Sequence, residues 1–275
     1  MFTWTDDSTY LKPSPFFGKS NGGTSQTHAL VGLRPIAVLG DGINTDHIAP
    51  VGSITMASAA GQFLSSRGVA PKDFNSYGTR RASPEIVARS FLANHTLKNQ
   101  LAGGKAGSFT QLIPDGDIVT IWEAVERYAQ ENVDCVILAG RDYGGGSSRD
   151  TAAKASYLAG VKAVIAQSFE RIHRSNLVNM GIWPLTFREP ASVDTLALVD
   201  AIGISIAALP ANYSLQMRVD VVATMKDGRT KRFDAEVKVA TRGELKILLA
   251  GGLLPETLTD VMSRKSGAAS PLNWE

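Results

Sequence analysis

The sequence predicts an α/β fold with a mixed sheet flanked by helices, in one domain at residues 31–275 behind an arm or interdomain linker at 1–30. Three observations predict it. Cys135-Val136-Ile137-Leu138-Ala139 and Ala163-Val164-Ile165-Ala166 are short unbroken apolar runs, the pattern of strands buried on both faces. A glycine-rich loop and a helical stretch separate them, and a strand–helix–strand crossover makes part of the sheet parallel. Beyond residue 210 the pattern changes, and Leu215–Met225 and Arg232–Val239 alternate around Asp227-Gly228, a hairpin signal.

The elements follow in order. Residues 1–30 are rich in Ser, Thr, Gly, Pro and aromatics, and Lys19–Ser25 has no periodicity. Ile36-Ala37-Val38-Leu39 is a short apolar strand ending at Gly40-Asp41-Gly42. Residues 56–66 read as a helix with Arg67 in the last turn and Gly68 just beyond it. Residues 84–101 read as a second helix, opened by Ser83-Pro84-Glu85 as cap, first position and acidic first turn. Trp122–Glu131 is helical, as is Asp150–Leu158, which ends at Gly160. Residues 242–249 and 254–263 complete the helices, and the last dozen residues are expected to fray. No internal repeat is present.

Composition narrows the function classes. A chain of 275 residues can bury a substantial core, and 44% apolar with 20% charged residues is ordinary for a globular protein. The net charge of +2 provides no strong field for nucleic acid or an anionic membrane. A single cysteine, Cys135, excludes an internal disulfide and an all-cysteine metal or cluster site built by this chain, and it reads as buried core. The opening residues lack a secretory signal, and no apolar run approaches the ~18 residues of a membrane span. A cytoplasmic protein is the resulting expectation.

The chemistry concentrates in Gly140-Arg141-Asp142-Tyr143-Gly144-Gly145-Gly146-Ser147-Ser148-Arg149-Asp150. The loop lies between a buried strand and a helix, at the strand end where α/β sheets bind ligands. Free backbone N–H groups at the helix start favour an anion, and glycines let the backbone approach it. Arg149 adds a planar fork suited to a carboxylate, with two serine hydroxyls beside it. The same stretch also reads as a Gly/Ser turn capped by Ser147 or Ser148. A phosphate loop lacks its lysine here, and a serine-hydrolase elbow lacks its pattern. Asn44-Thr45-Asp46-His47-Ile48 follows the first strand, so Asp46 can orient an arginine or cap the next segment. Arg67 also reads as a helix-end cation, and Arg80-Arg81 as solvated surface.

These residues carry a resemblance. Gly40–Pro50 resembles the entry motif of aconitase C-terminal domains, Tyr143–Asp150 their active-site loop, and Phe169–Leu177 the segment after the next strand. Ser8-Thr9-Tyr10 with Pro15-Phe16-Phe17 is similar to the family's linker. Phe74–Arg81 is closer to the cytosolic aconitase, iron-regulatory-protein and 2-methylcitrate-dehydratase branch. The resemblance implies a swivelling β/β/α domain. It implies Ser147 as the catalytic base, Ser148, Arg149 and Arg67 as substrate binders, and Asp46 and His47 as a supporting pair. It also implies a 4Fe–4S cluster held elsewhere, by preceding domains or a cluster-bearing large subunit, with no metal bound by this chain.

The expected function is therefore half of an aconitase-type hydro-lyase acting on a tricarboxylate, through an aconitate intermediate. Citrate–isocitrate interconversion comes first and a 2-methylcitrate dehydratase second. An RNA-binding regulatory module and an idle fragment are the competing readings; the near-neutral charge weighs against the former, since phosphate contacts dominate such affinity. Removal of the covering domains is expected to expose apolar surface around residues 140–149.

Overall fold

A computed structural model describes residues 3–16, 29–209, 215 and 217–266. Lys19–Ser25, Phe17 and the last nine positions lie outside the described residues. The chain runs β1 (Leu30–Val38), α1 (Thr45–Ile48), α2 (Ala59–Ser66) and α3 (Pro84–Arg89). A hairpin of β2 (Phe109–Gln111) and β3 (Ile118–Thr120) leads into α4 (Ile121–Gln130). Then come β4 (Cys135–Leu138), α5 (Thr151–Leu158), β5 (Val161–Ala166), α6 (Arg171–Asn179) and β6 (Trp183–Phe187). β7 (Ala201–Ile206), β8 (Arg218–Met225), β9 (Thr230–Val237), α7 (Arg242–Leu249) and α8 (Leu253–Ser266) complete it.

The sheet is mixed, as the two sequence patterns require, and it closes on itself in the order β1-β4-β5-β6-β9-β8-β7. β1, β4, β5 and β6 are parallel neighbours, and every other pairing around the ring is antiparallel. Alternation along the strands makes two cores. Val136, Leu138, Ala163 and Ile165 join Trp183, Val221 and Ala235 in one cluster. Cys135, Ile137, Ala139 and Val164 join the apolar faces of α4 and α5 in another. Cys135 is thus core, and burial with help from Asp134 pushes its thiol up to about 12. Among the described residues no helix is long and apolar enough to cross a membrane.

Two local expectations are corrected. The helix expected over 84–101 stops at Arg89. Leu92 takes a left-handed φ of 49° and its N–H donates to Ile48 O (2.7 Å), a tertiary bond in place of a helical one. Further on, the buried Asn99 side chain accepts from Val38 N–H (2.9 Å) and donates to Phe109 O (3.0 Å), stitching β1 to β2. Arg80 is not solvated surface; it is 1% exposed. Its Nε donates to Phe74 O (2.8 Å), Nη2 to Asp73 O (2.9 Å) and Nη1 to Thr9 Oγ1 (2.6 Å), and it lies 3.9 Å from the Tyr10 ring centre. Arg81 is exposed as expected.

Candidate functional site

Two adjacent parallel strands, β1 and β4, end side by side, and their following loops are laced together. Leu39 N–H donates to Leu138 O (2.9 Å), Gly42 N–H to Arg141 O (2.8 Å) and Gly144 N–H to Ile43 O (2.6 Å). Thr45 N–H returns to Gly145 O (2.7 Å), and the Asp41 carboxylate accepts from Arg141 N–H (2.7 Å). The sequence therefore brings Asn44–Ile48 and the 140–149 loop to one place.

The short α1 is capped by Asn44, not by Asp46. Asn44 Oδ1 accepts from His47 N–H (2.8 Å), and His47 Nδ1 accepts from Asn44 N–H (3.2 Å). His47 is occupied in holding this turn. Asp46 is left exposed, and its Oδ1 accepts from Arg149 Nη2 (3.0 Å). Arg149 Nε in turn donates to Ser147 Oγ (2.9 Å). Asp46, Arg149 and Ser147 form one chain of charge-assisted contacts. The Arg149 and Asp46 side chains are 39% and 54% exposed, so their pairing contributes little to stability, roughly 0–1 kcal/mol. Its effect is to aim the guanidinium. Neither Ser147 nor Ser148 caps α5 through its side chain; Asp150 holds the cap position.

Beneath the loop lies a support that sequence reasoning did not assign. Gly144 has φ +89°, and a Cβ there would sit 2.2 Å from the His173 ring. His173 is 1% exposed, with its ring centre 5.4 Å from that of Tyr143, which packs edge-on against Phe169. Burial lowers the His173 pKa to about 4, so the imidazole is neutral at neutral pH. Asn176 of α6 reaches across to the Ser148 carbonyl (3.4 Å). Both His173 and Asn176 sit within Phe169–Leu177, so that segment forms the floor of the loop. Only its resemblance marked it out, because a histidine in an amphipathic helix carries no signal of its own.

Arg67 stands apart. It is exposed at the C-terminal cap of α2, with its guanidinium 5.2 Å from the Phe63 ring centre, and no described contact joins it to the 147–149 loop. The residues of this chain do not fit a 4Fe–4S cluster. The one thiol is buried in β4, and among the described residues no three His, Cys, Asp or Glu side chains are grouped to hold a metal.

Comparison with known proteins gives consistent matches. Residues 60–190 match the family profile described as the aconitase C-terminal domain. Over 267 residues the chain is 43% identical to aconitate hydratase A of Deinococcus radiodurans, covering 97% of this chain and 29% of that protein. Over 263 residues it is 44% identical to phosphinomethylmalate isomerase of Streptomyces viridochromogenes, covering 95% of this chain and 29% of that protein. A solved 3-isopropylmalate dehydratase of Methanocaldococcus jannaschii covers 87% of this chain and 99% of its own at 20% identity and TM-score 0.42, a likeness silent on activity. The chain spans about 29% of the length of the curated relatives it matches.

Proposed function

Since this chain belongs to the aconitase C-terminal domain family, we propose that it supplies the substrate-binding and proton-abstracting half of an aconitase-type hydro-lyase. The observation that carries this reading is Arg149, held between the Asp46 carboxylate and the Ser147 hydroxyl. A free serine is a poor base. An arginine N–H aimed at its oxygen, beside a loop of backbone N–H groups, stabilises the alkoxide form. In this proposal Ser147 Oγ takes the proton from the substrate carbon and returns it in the reverse direction. Ser148 and Arg149 hold a carboxylate at the loop, and Arg67 at the end of α2 meets the substrate from another side. Asp46 and His47 position the machinery without touching the reacting atoms.

The substrate is a hydroxy tricarboxylate, citrate or isocitrate first and 2-methylcitrate second. Relatives named for two different acids match at 43% and 44%, so overall identity does not choose between the substrates. Release of the hydroxyl is left to a cluster-bearing large chain, or to the region the relatives carry beyond this domain. A cytoplasmic place in tricarboxylic acid metabolism belongs to the same proposal.

The test is hydration of cis-aconitate, followed by absorbance. The chain alone should be silent, and its mixture with a cluster-bearing large chain or N-terminal fragment should be active. A silent mixture, with this chain folded and the partner's cluster intact, would reject citrate–isocitrate interconversion and leave a different substrate, a binding role or an idle fragment.

A further inference from the structure

A cleft of about 560 Å³ opens beside the catalytic loop, within the roughly 300–1,000 Å³ range of small-molecule sites. Its lining joins the start of α5, at Arg149, to the turn at residues 76–81 that precedes α3. That turn is rigid. Ser76 and Thr79 bond to each other's backbone, with Thr79 Oγ1 donating to Ser76 O (2.8 Å), and Ser76 bridges to Ser53. Arg80 anchors the turn by pointing inward, and its neighbour Arg81 lines the cleft. The Arg81 guanidinium donates to Gly78 O (3.0 Å), its one side-chain hydrogen bond among the described residues, which leaves most of the fork's donor capacity for a ligand.

Arg149 cannot serve every anionic group of a substrate. Its Nε and Nη2 are already directed at Ser147 and Asp46. The same cleft presents a second guanidinium at Arg81, with Val51, Val87 and Tyr77 adding apolar lining. Asp150 is its one acidic lining residue among the described residues. Two cations against one carboxylate on a partly apolar surface suit a short carbon chain ending in a carboxylate.

We propose that this cleft is the subsite for a second carboxylate of the substrate, and that Arg81 is the specificity-determining residue that binds it. The inference rests on the hydro-lyase reading and adds to it. Arg149 receives the carboxylate nearest Ser147, and Arg81 selects acids long enough to place another in the cleft. The apolar lining packs the intervening methylene or methyl group.

The experiment titrates the isotope-labelled 275-residue chain, observed by NMR, with tricarballylate and with acetate. Tricarballylate has no hydroxyl to lose, so it reports binding alone. The expected result is that tricarballylate shifts resonances at both 147–149 and 76–81, whereas acetate shifts only the former. Arg81→Met should weaken tricarballylate at least tenfold and leave acetate unchanged, with Arg81→Lys falling between. Arg81 is exposed, so an unchanged thermal midpoint will show that these variants fold. Shifts at 147–149 without any at 76–81, or tricarballylate affinity indifferent to Arg81→Met, would overturn this inference while leaving the hydro-lyase reading in place. Shifts at neither place would overturn this inference, and the hydration assay of the reconstituted mixture would then decide the hydro-lyase reading separately.

Discussion

Arg149 can organise the site because a guanidinium donates in two directions from one plane. Nη2 is fixed by Asp46, which orients the neighbouring Nε toward Ser147. This geometry depends on the loop height, and the loop height depends on Gly144 resting on His173. The imidazole is buried without charge, which links it to stability. Its folded pKa is depressed from 6.5 to about 4, so its contribution is complete above the unfolded pKa. It is lost progressively as pH falls from about 6.5 to 4, and on the order of 3 kcal/mol is involved. Denaturant unfolding across that window should therefore show stability rising with pH. The slope should flatten in His173→Phe, which keeps an aromatic ring under Gly144. Equal slopes in the two proteins would mean that His173 is protonated as readily folded as unfolded.

At the scale of elements, the buried Arg80 ties the N-terminal segment to the turn before α3. Its donors satisfy carbonyls of Phe74, Asp73 and Thr9, and Tyr10 covers its face. Arg80→Ala should cost about 3 kcal/mol by leaving buried carbonyls unpaired. It should also make Thr9–Tyr10 open to limited proteolysis. An unchanged melting midpoint and cleavage pattern would show that the clamp is dispensable. This clamp also marks where sequence reading stopped. Two adjacent arginines look alike in the chain, and only the fold turns one inward. The helix expected over 84–101 failed for the same kind of reason, since the tertiary bond from Leu92 to Ile48 outweighs local propensity. β6 carries no legible strand signal in the sequence, because Trp183-Pro184 argues against an inner strand. Pro184 nonetheless sits in parallel register with Val164. The three-residue strands β2 and β3 are too short to show a period. By contrast, the strand–loop–helix–strand unit at 135–166 and the hairpin at Asp227-Gly228 were legible, because each is written in contiguous residues.

For the whole molecule, closure of the sheet is the feature that local patterns could not carry. It depends on β1 pairing with both β4 and β7, far apart in the chain. The result places the β1 and β4 ends side by side, and the site is assembled from their two loops and the start of α6. Leu253 and Leu254 are exposed on α8 and line a cleft of about 290 Å³ with Asp150 and Asn176. The proposal reads this loop as one side of a site completed by another body. The most direct measurement on that account is cis-aconitate hydration by the reconstituted mixture, comparing the wild-type chain with Ser147→Ala. Ser147 is exposed, so its truncation should leave folding and tricarballylate binding unchanged. The account predicts a rate loss of about a hundredfold to ten-thousandfold at unchanged ligand affinity. A Ser147→Ala mixture that turns over within a few-fold of wild type would contradict it.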